Sequence, residues 1–303
     1  MTLKQLEAFF WAAKLGSFSV AATRLNVTQS TLSKRIAELE ADLEKPLFDR
    51  TGQRAVLTDA GEQLLGHATQ MLEIESRIRA DLDVVASLRG TTRFGISELV
   101  ASTWFPRFVA RVRDLHPHLV LEPQVELTKN LERRLERGEL DFAIVPGPIA
   151  STALSHEVLG ELEYRWMAAP QRLAPGTRLT PRHFEENPVI MLSAEAGLSR
   201  ALESWADNQQ IVISRAVVCN SLSALIALVI AGVGISLFPR TYVTPFIQAG
   251  KLGELASTPT PQNLRYCFHS RSGDARSLVS NLRAIAREEA DFSVGSALWP
   301  VTL

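Results

Sequence analysis

Cysteine is almost absent: Cys219 and Cys267 are the only two in 303 residues. Two thiols cannot build a disulfide scaffold, and their scarcity fits a reducing compartment, the cytoplasm. Charge of one sign is missing as well, since 32 basic and 33 acidic side chains leave a formal net charge of -1. A polyanionic partner therefore cannot be held by bulk charge and needs a local basic face. Long apolar runs do not occur. The longest, at residues 222–229, is too short to span a bilayer and belongs to a core helix or strand, so no membrane association is expected. The chain starts with the amphipathic "LKQLEAFFWAAKLG" rather than a basic stretch, an apolar stretch and a cleavage site, so no signal peptide is expected. What the chain does have is apolar residues, at 46%. That content and length suffice for two or three domains with a true core and argue against disorder.

Catalytic signatures are missing too. There is no GxSxG elbow, GxxxxGK[ST] loop or HExxH helix. "GVGIS" holds two glycines of a dinucleotide fingerprint but lies between a helix and a strand, the reverse of the required order. His116 and His118 flank Pro117 in a loop and read as solvated side chains rather than metal ligands. Cys219 and Cys267 lie in separate apolar strand-like runs and read as buried, inert thiols rather than a redox pair. No cofactor is implied.

The first 37 residues carry Lys4, Lys14, Arg24, Lys34 and Arg35 against the single acid Glu7. Leu3, Leu6, Phe9, Phe10 and Ala13 recur at helical spacing up to Gly16. A short helix follows, capped by Ser17 or Ser19, with a thin apolar face of Val20, Ala21, Ala22 and Leu25, and Asn26 breaks it. Thr28 then stands at a cap position, and Leu32, Ile36, Leu39 and Leu43 form the buried stripe of a third helix. In a helix-turn-helix, the start of the second helix of the pair enters the major groove, where short polar side chains read base edges and Lys or Arg grips guanine or phosphate. Thr28, Gln29, Ser30, Thr31, Ser33, Lys34 and Arg35 are the residues so placed. In "KPLFDRTGQRAVLT", two short extended runs flank a Gly-centred turn, which reads as a hairpin wing with Arg50, Gln53 and Arg54 at its tip.

The stretch from Leu3 to "TDAGEQLL" resembles the DNA-binding segment of LysR-type transcriptional regulators. The pattern "L..F..A...GS...AA..L..TQS.LS..I..LE..L...LF.R......LT.AG" carries the resemblance over its whole length. One departure is Ser30, where the family often has proline; serine can donate a hydrogen bond that proline cannot. Residues 59–88 form one long helical pattern without proline. Leu57, Leu64, Met71, Ile78 and Val85 are spaced by seven, with Ala68 and Leu82 between, as in a short coiled-coil seam. A lone helix cannot bury such a stripe, so pairing with a second copy is expected, and the resemblance implies the same.

From residue 91 strands and helices alternate. "RFGIS", "LVLEPQVEL" and "LDFAIV" read as strands around the helices "LVASTWFPRFVARVRDLHP" and "TKNLERRLERGE". Such repetition implies a mostly parallel sheet covered on both faces. A second α/β half runs through "LEYRWMAAP", "PVIML", "LSRALESWADNQQ", "AVVCNS", "LSALIALVIAG", "VGISLFP" and "TYVTPFIQAGKL". "NLRYCFHS" and "ARSLVSNLRAIAREEADF" then return to the first half. The resemblance now covers nearly the whole chain and implies a two-lobed domain, similar to periplasmic binding proteins, that binds a small-molecule effector in the cleft between its lobes. Ser97, Thr128, and Asn220 with Ser221 stand at strand-to-helix turns, where free amides and the helix dipole favour a carboxylate or other anion. Plain capping explains each one singly, so the argument rests on their convergence in one cleft. Pro146, Gly147, Leu198, Ser199 and Phe238 are further candidates, and Glu98 at the mouth would repel an anion.

The expected architecture is thus a winged helix-turn-helix at residues 1–58, a linker and dimerisation helix with hinge at 59–90, and an α/β effector domain at 91–303. Lobe I is expected at about 91–162 and 266–303, and lobe II at about 163–265. Leu64, Met71, Ile78, Leu82 and Val85 are the expected dimer contacts. The expected partners are promoter DNA, an organic-acid effector, further copies of the chain as homodimer or homotetramer, and RNA polymerase. An α/β enzyme or a solute-binding protein using the same cleft is the alternative.

Overall fold

The computed structural model describes residues 1–49, 56–82, 88–147, 151–213, 215–274 and 276–293. The chain divides into two compact units, one built on residues 1–87 and one on most of residues 88–303.

In the first unit, α1 (Leu3–Leu15) begins at a reciprocal cap between Thr2 and Gln5 and ends at Gly16, whose φ of 59° needs no Cβ to avoid. α2 (Phe18–Arg24) is capped by Ser17, and Asn26, at φ 52°, turns the chain into α3 (Gln29–Leu43). Leu6, Phe9, Ala21, Ala22, Leu32, Ile36 and Leu39 form the shared core. Alanines on α2 allow close helix crossing there. The expected apolar faces are wider than the buried ones: Leu3 and Val20, in the first turns of α1 and α2, and Leu43, the last residue of α3, are exposed. β1 (Phe48–Asp49) pairs antiparallel with β2 (Val56–Leu57), the base of the expected hairpin. Glu40 accepts from the Leu47 and Phe48 amides at 2.8 and 3.2 Å, which holds the chain entering that hairpin.

α4 (Asp59–Leu82) is one continuous helix of 24 residues, about 36 Å long. Its first half is spent within the unit: Ala68 is fully buried, and Ala60, Leu64 and Leu65 pack on the same core. Leu64, expected in a seam with a second copy, is thereby partly used at home. Met71 and Ile74 are 40% and 49% exposed, an apolar edge only partly covered. Ile78 and Leu82 lie on the helix, and Val85 lies outside the described residues.

The second unit holds two five-stranded sheets. The chain enters through β3 (Gly90–Ile96), α5 (Glu98–Ala101), α6 (Phe105–Leu115), β4 (Leu119–Val125), α7 (Thr128–Glu136), β5 (Phe142–Pro146) and β6 (Leu154–Leu162). It then crosses to β7 (Tyr164–Ala168), α8 (Pro181–Glu186), β8 (Val189–Leu192), α9 (Gly197–Asn208), β9 (Arg215–Cys219), α10 (Leu222–Ile230), β10 (Ile235–Pro239), α11 (Arg240–Gln248) and β11 (Gly253–Leu255). β12 (Leu264–Arg271) and α12 (Ser277–Glu289) close the chain. The lobe I sheet has the order β4-β3-β5-β12-β6 and the lobe II sheet β11-β7-β10-β8-β9.

Three features differ from the sequence reading. The sheets are mixed, because β12 runs antiparallel to β5 and β6, and β7 runs antiparallel to β10 and β11. The single helix expected after β3 is broken into α5 and α6. Ser102 and Thr103 turn their hydroxyls back onto the Glu98 and Leu99 carbonyls, both at 2.8 Å, and Pro106 starts the next helix. Finally, β6, α8 and β11 went unread: each is short or polar, with no sustained period of its own.

Candidate functional site

The exposed face of α3 carries the polar front of the helix. Thr28 caps it, accepting from the Thr31 amide at 3.2 Å, and its hydroxyl also meets those of Ser30 and Thr31. Gln29, Ser30, Thr31, Ser33 and Lys34 are exposed, Arg35 is half-buried, and Leu32 and Ile36 point inward. Gln29 is thus free to reach outward from the first turn. Arg50, Gln53 and Arg54 lie outside the described residues.

In the second unit a cleft of about 280 Å³ lies between the lobes. Of the expected effector residues it gathers five: Ser97 and Thr128 from lobe I, and Leu198, Asn220 and Ser221 from lobe II. The other four are placed elsewhere. Ser199 is buried and donates to the Leu192 carbonyl at 2.7 Å, and Phe238 is wholly inside the lobe II core. Gly147 is held by the Arg265 carbonyl at 2.7 Å. Pro146 packs behind the start of α9: a Cβ on Gly197 would lie 3.0 Å from its ring and carbonyl oxygen.

Two polar side chains of the cleft, Thr128 and Glu98, already bridge the lobes. Thr128 is buried, and its hydroxyl accepts from the Gly197 amide, the start of α9, at 3.2 Å. Glu98 does the same at α10. Its carboxylate accepts from the Leu222 amide at 2.6 Å, the Ser223 amide at 3.0 Å and the Ser223 hydroxyl at 2.6 Å, with Ser221 at 3.3 Å. The α10 anion position, expected to be open, is therefore filled by a side chain of the opposite lobe. Sequence reasoning placed Glu98 at the mouth as a repulsive charge; the fold makes it a ligand.

Two tyrosines that sequence reasoning missed also line the cleft. Tyr164 and Tyr266 join hydroxyls at 3.1 Å across the lobes, and both are buried. Burial pushes the Tyr266 phenol up to about 12 and that of Tyr164 well above its usual value, so both stay protonated donors. The third tyrosine, Tyr242, meets Ser102 at 3.0 Å, again from lobe to lobe. A signal was present in the sequence: the chain has only three tyrosines, and all three hydroxyls serve the lobe junction. Another hollow, of about 460 Å³, runs along β11, but it is walled by residues such as Pro170, Pro175, Ile247 and Leu252 and offers little to orient a polar ligand.

Cys267 is buried, with its thiol pushed up to about 11 by desolvation, while Cys219 is only half-buried and donates to the Ser221 carbonyl. The two lie in different sheets. Among the described residues no group of three His, Cys, Asp or Glu is placed to hold a metal ion, and no helix is long and apolar enough to cross a membrane.

A polar-fronted helix-turn-helix with a hairpin, followed by a long helix and a two-lobed domain with a cleft between its lobes, defines a ligand-responsive DNA-binding regulator. Residues 3–62 match the bacterial regulatory helix-turn-helix proteins of the lysR family, and residues 86–291 match the LysR substrate binding domain. The chain belongs to the LysR family of transcriptional regulators. It is similar to the HTH-type transcriptional regulator CzcR of Bacillus anthracis, 28% identical over 83% of this chain and 85% of that one. It is also similar to DgdR of Burkholderia cepacia, 29% identical over 78% of each. Among solved structures, a full-length OxyR variant from Pseudomonas aeruginosa shares the fold with a TM-score of 0.62 at 20% identity, over 95% of each chain. LysG from Corynebacterium glutamicum, solved with bound effector Arg, does so with a TM-score of 0.59 at 22% identity, over 95% of this chain and 99% of that one. The protein is a sequence-specific DNA-binding regulator whose promoter binding is modulated by a small molecule in its effector domain, and its relatives are transcriptional regulators.

Proposed function

We propose that residues 1–58 read the operator, residues 59–90 pair two such heads, and residues 91–303 sense an organic acid, with no turnover of that acid. Gln29, Ser30, Thr31, Ser33, Lys34 and Arg35 contact bases and phosphates, and Arg50, Gln53 and Arg54 extend the contact from the wing. The chain works as a homodimer or homotetramer in the cytoplasm, and RNA polymerase is the partner at the promoter. The effector shifts the angle between the lobes, and that shift reaches the linker helices and the spacing of the DNA heads.

The observation that carries the effector class is the convergence of Ser97, Thr128, Asn220 and the first amides of α10 on one cleft, where a carboxylate is already accommodated. The test uses Ser97→Ala, Thr128→Ala and Asn220→Ala. A thermal-shift screen of small carboxylic acids finds the ligand, because a molecule bound only by the folded state raises the melting temperature. Each variant is expected to weaken the response by about 1 to 3 kcal/mol, the cost of a buried polar group left unpaired, with operator binding in the absence of ligand nearly intact. Wild-type dose-response in all three, or consumption of the ligand by purified protein, refutes the reading.

A further inference from the structure

The two helices of lobe II that start at the cleft, α9 and α10, are both capped from lobe I, by Thr128 and by Glu98. The two contacts differ in kind. Thr128 offers a neutral hydroxyl to one amide, whereas Glu98 brings a full charge to two amides and two hydroxyls at the positive end of α10. Nothing in the local sequence requires Glu98 for capping α10, because Ser221 already caps it through the Ala224 amide at 3.3 Å. Glu98 thus adds a bond between lobes rather than completing a helix.

We propose that Glu98 is a built-in ligand that latches the empty cleft, and that the effector is a monocarboxylic acid whose carboxylate replaces it at the start of α10. This rests on the organic-acid reading above. A carboxylate held on the same chain competes at an effective concentration of roughly millimolar or more, so a bare carboxylate binds weakly and an effector must add contacts of its own. The cleft supplies them: the Tyr164 and Tyr266 hydroxyls, and the apolar side chains of Leu99, Leu127 and Leu198. Displaced, Glu98 is only half-buried and can turn to water. A second carboxylate on the effector would find no cationic partner and would face like charge, since the described lining contains Glu98 and Glu126 and no Lys, Arg or His. Glu126 already holds Arg134 at 2.7 Å.

The experiment uses the full chain with acetate as the probe and neutral acetamide as its control. Hydrogen exchange at the first turn of α10 should be at least about tenfold faster in Glu98→Ala than in wild type, and acetate should restore protection while acetamide does not. Half-maximal thermal stabilisation by acetate should need about tenfold less acetate in the variant. Should Glu98→Ala fail to fold, Glu98→Gln keeps the shape without the charge and must still lower the acetate midpoint. Unchanged exchange, or equal acetate midpoints in variant and wild type, overturns the latch. Benzoate should stabilise wild type at lower concentration than phthalate; the reverse order overturns the monocarboxylate assignment. Acetate competition at Glu98 with no acid altering operator binding keeps the latch and refutes the organic-acid reading. Operator binding that responds to an acid identically in wild type and Glu98→Ala refutes the latch alone.

Discussion

Gln29 shows how much one side chain decides. It is exposed on the first turn of α3 while Leu32, one turn on, is wholly buried, so its loss changes recognition without touching the core. Replacing Gln29 or Arg35 by alanine is expected to cost about 1 to 3 kcal/mol at the cognate operator and to relax base preference there. Binding titrations on cognate and base-substituted operators check this, and unchanged preference in the double variant would mean that another face reads the DNA. His269 matters for stability instead. It is fully buried beside His156, donates from Nε2 to the Gly147 carbonyl at 3.1 Å, and has no partner at Nδ1. Burial holds its imidazole down at about 4. The unfolded chain therefore takes up a proton near pH 6.5 that the folded chain refuses, so stability is unaffected above that pH and falls as pH drops toward 4. The loss approaches roughly 3 kcal/mol, and urea unfolding of wild type against His269→Asn between pH 7 and 4.5 should show it as a shrinking difference.

At the scale of elements, α3 and α4 each carry two faces with different destinations. α3 was legible because both of its faces are settled within the first unit: core behind, polar front outside. α4 was half legible. Its heptad spacing holds along the helix, but Ala60, Leu64, Leu65 and Ala68 turn inward onto the unit's own core, whereas Met71 and Ile74 are exposed. Periodicity reports a stripe and cannot say which neighbour covers it. Met71→Asp with Ile78→Asp is therefore expected to dissociate the dimer while leaving the helix-turn-helix folded, because an unpaired charge in a buried seam costs several kcal/mol. Light scattering and far-UV circular dichroism together test it; an unchanged mass would exclude this edge as the interface. The break between α5 and α6 was invisible for a related reason, since Ser102 and Thr103 sit well in a helix until their hydroxyls find backbone carbonyls.

At the scale of the whole molecule, the second unit works through the fit between its lobes. At Gly197 the lobes approach closely: a Cβ there would sit 3.0 Å from Pro146 and 3.3 Å from the Thr128 hydroxyl. Gly197→Ala should push α9 from lobe I, lower the melting temperature by an amount equivalent to about 1 to 3 kcal/mol and weaken the effector response. Differential scanning fluorimetry with and without ligand measures both, and a variant with wild-type values would show that the lobes part freely at this edge.

The sequence by itself determined the helix-turn-helix, the hairpin, the alternating strands and helices of the second unit, and five of the cleft's polar and apolar residues. Each depends on local rules: period, caps, turn residues and charge spacing act over a few positions. Only the tertiary structure decided that Ser199 and Phe238 turn away from the cleft, that Tyr164 meets Tyr266 over 102 positions of chain, and that Glu98 closes onto α10 from 124 residues away. Those contacts join residues whose own neighbourhoods carry no trace of the partner, so they exist only once the two sheets have set the lobes face to face.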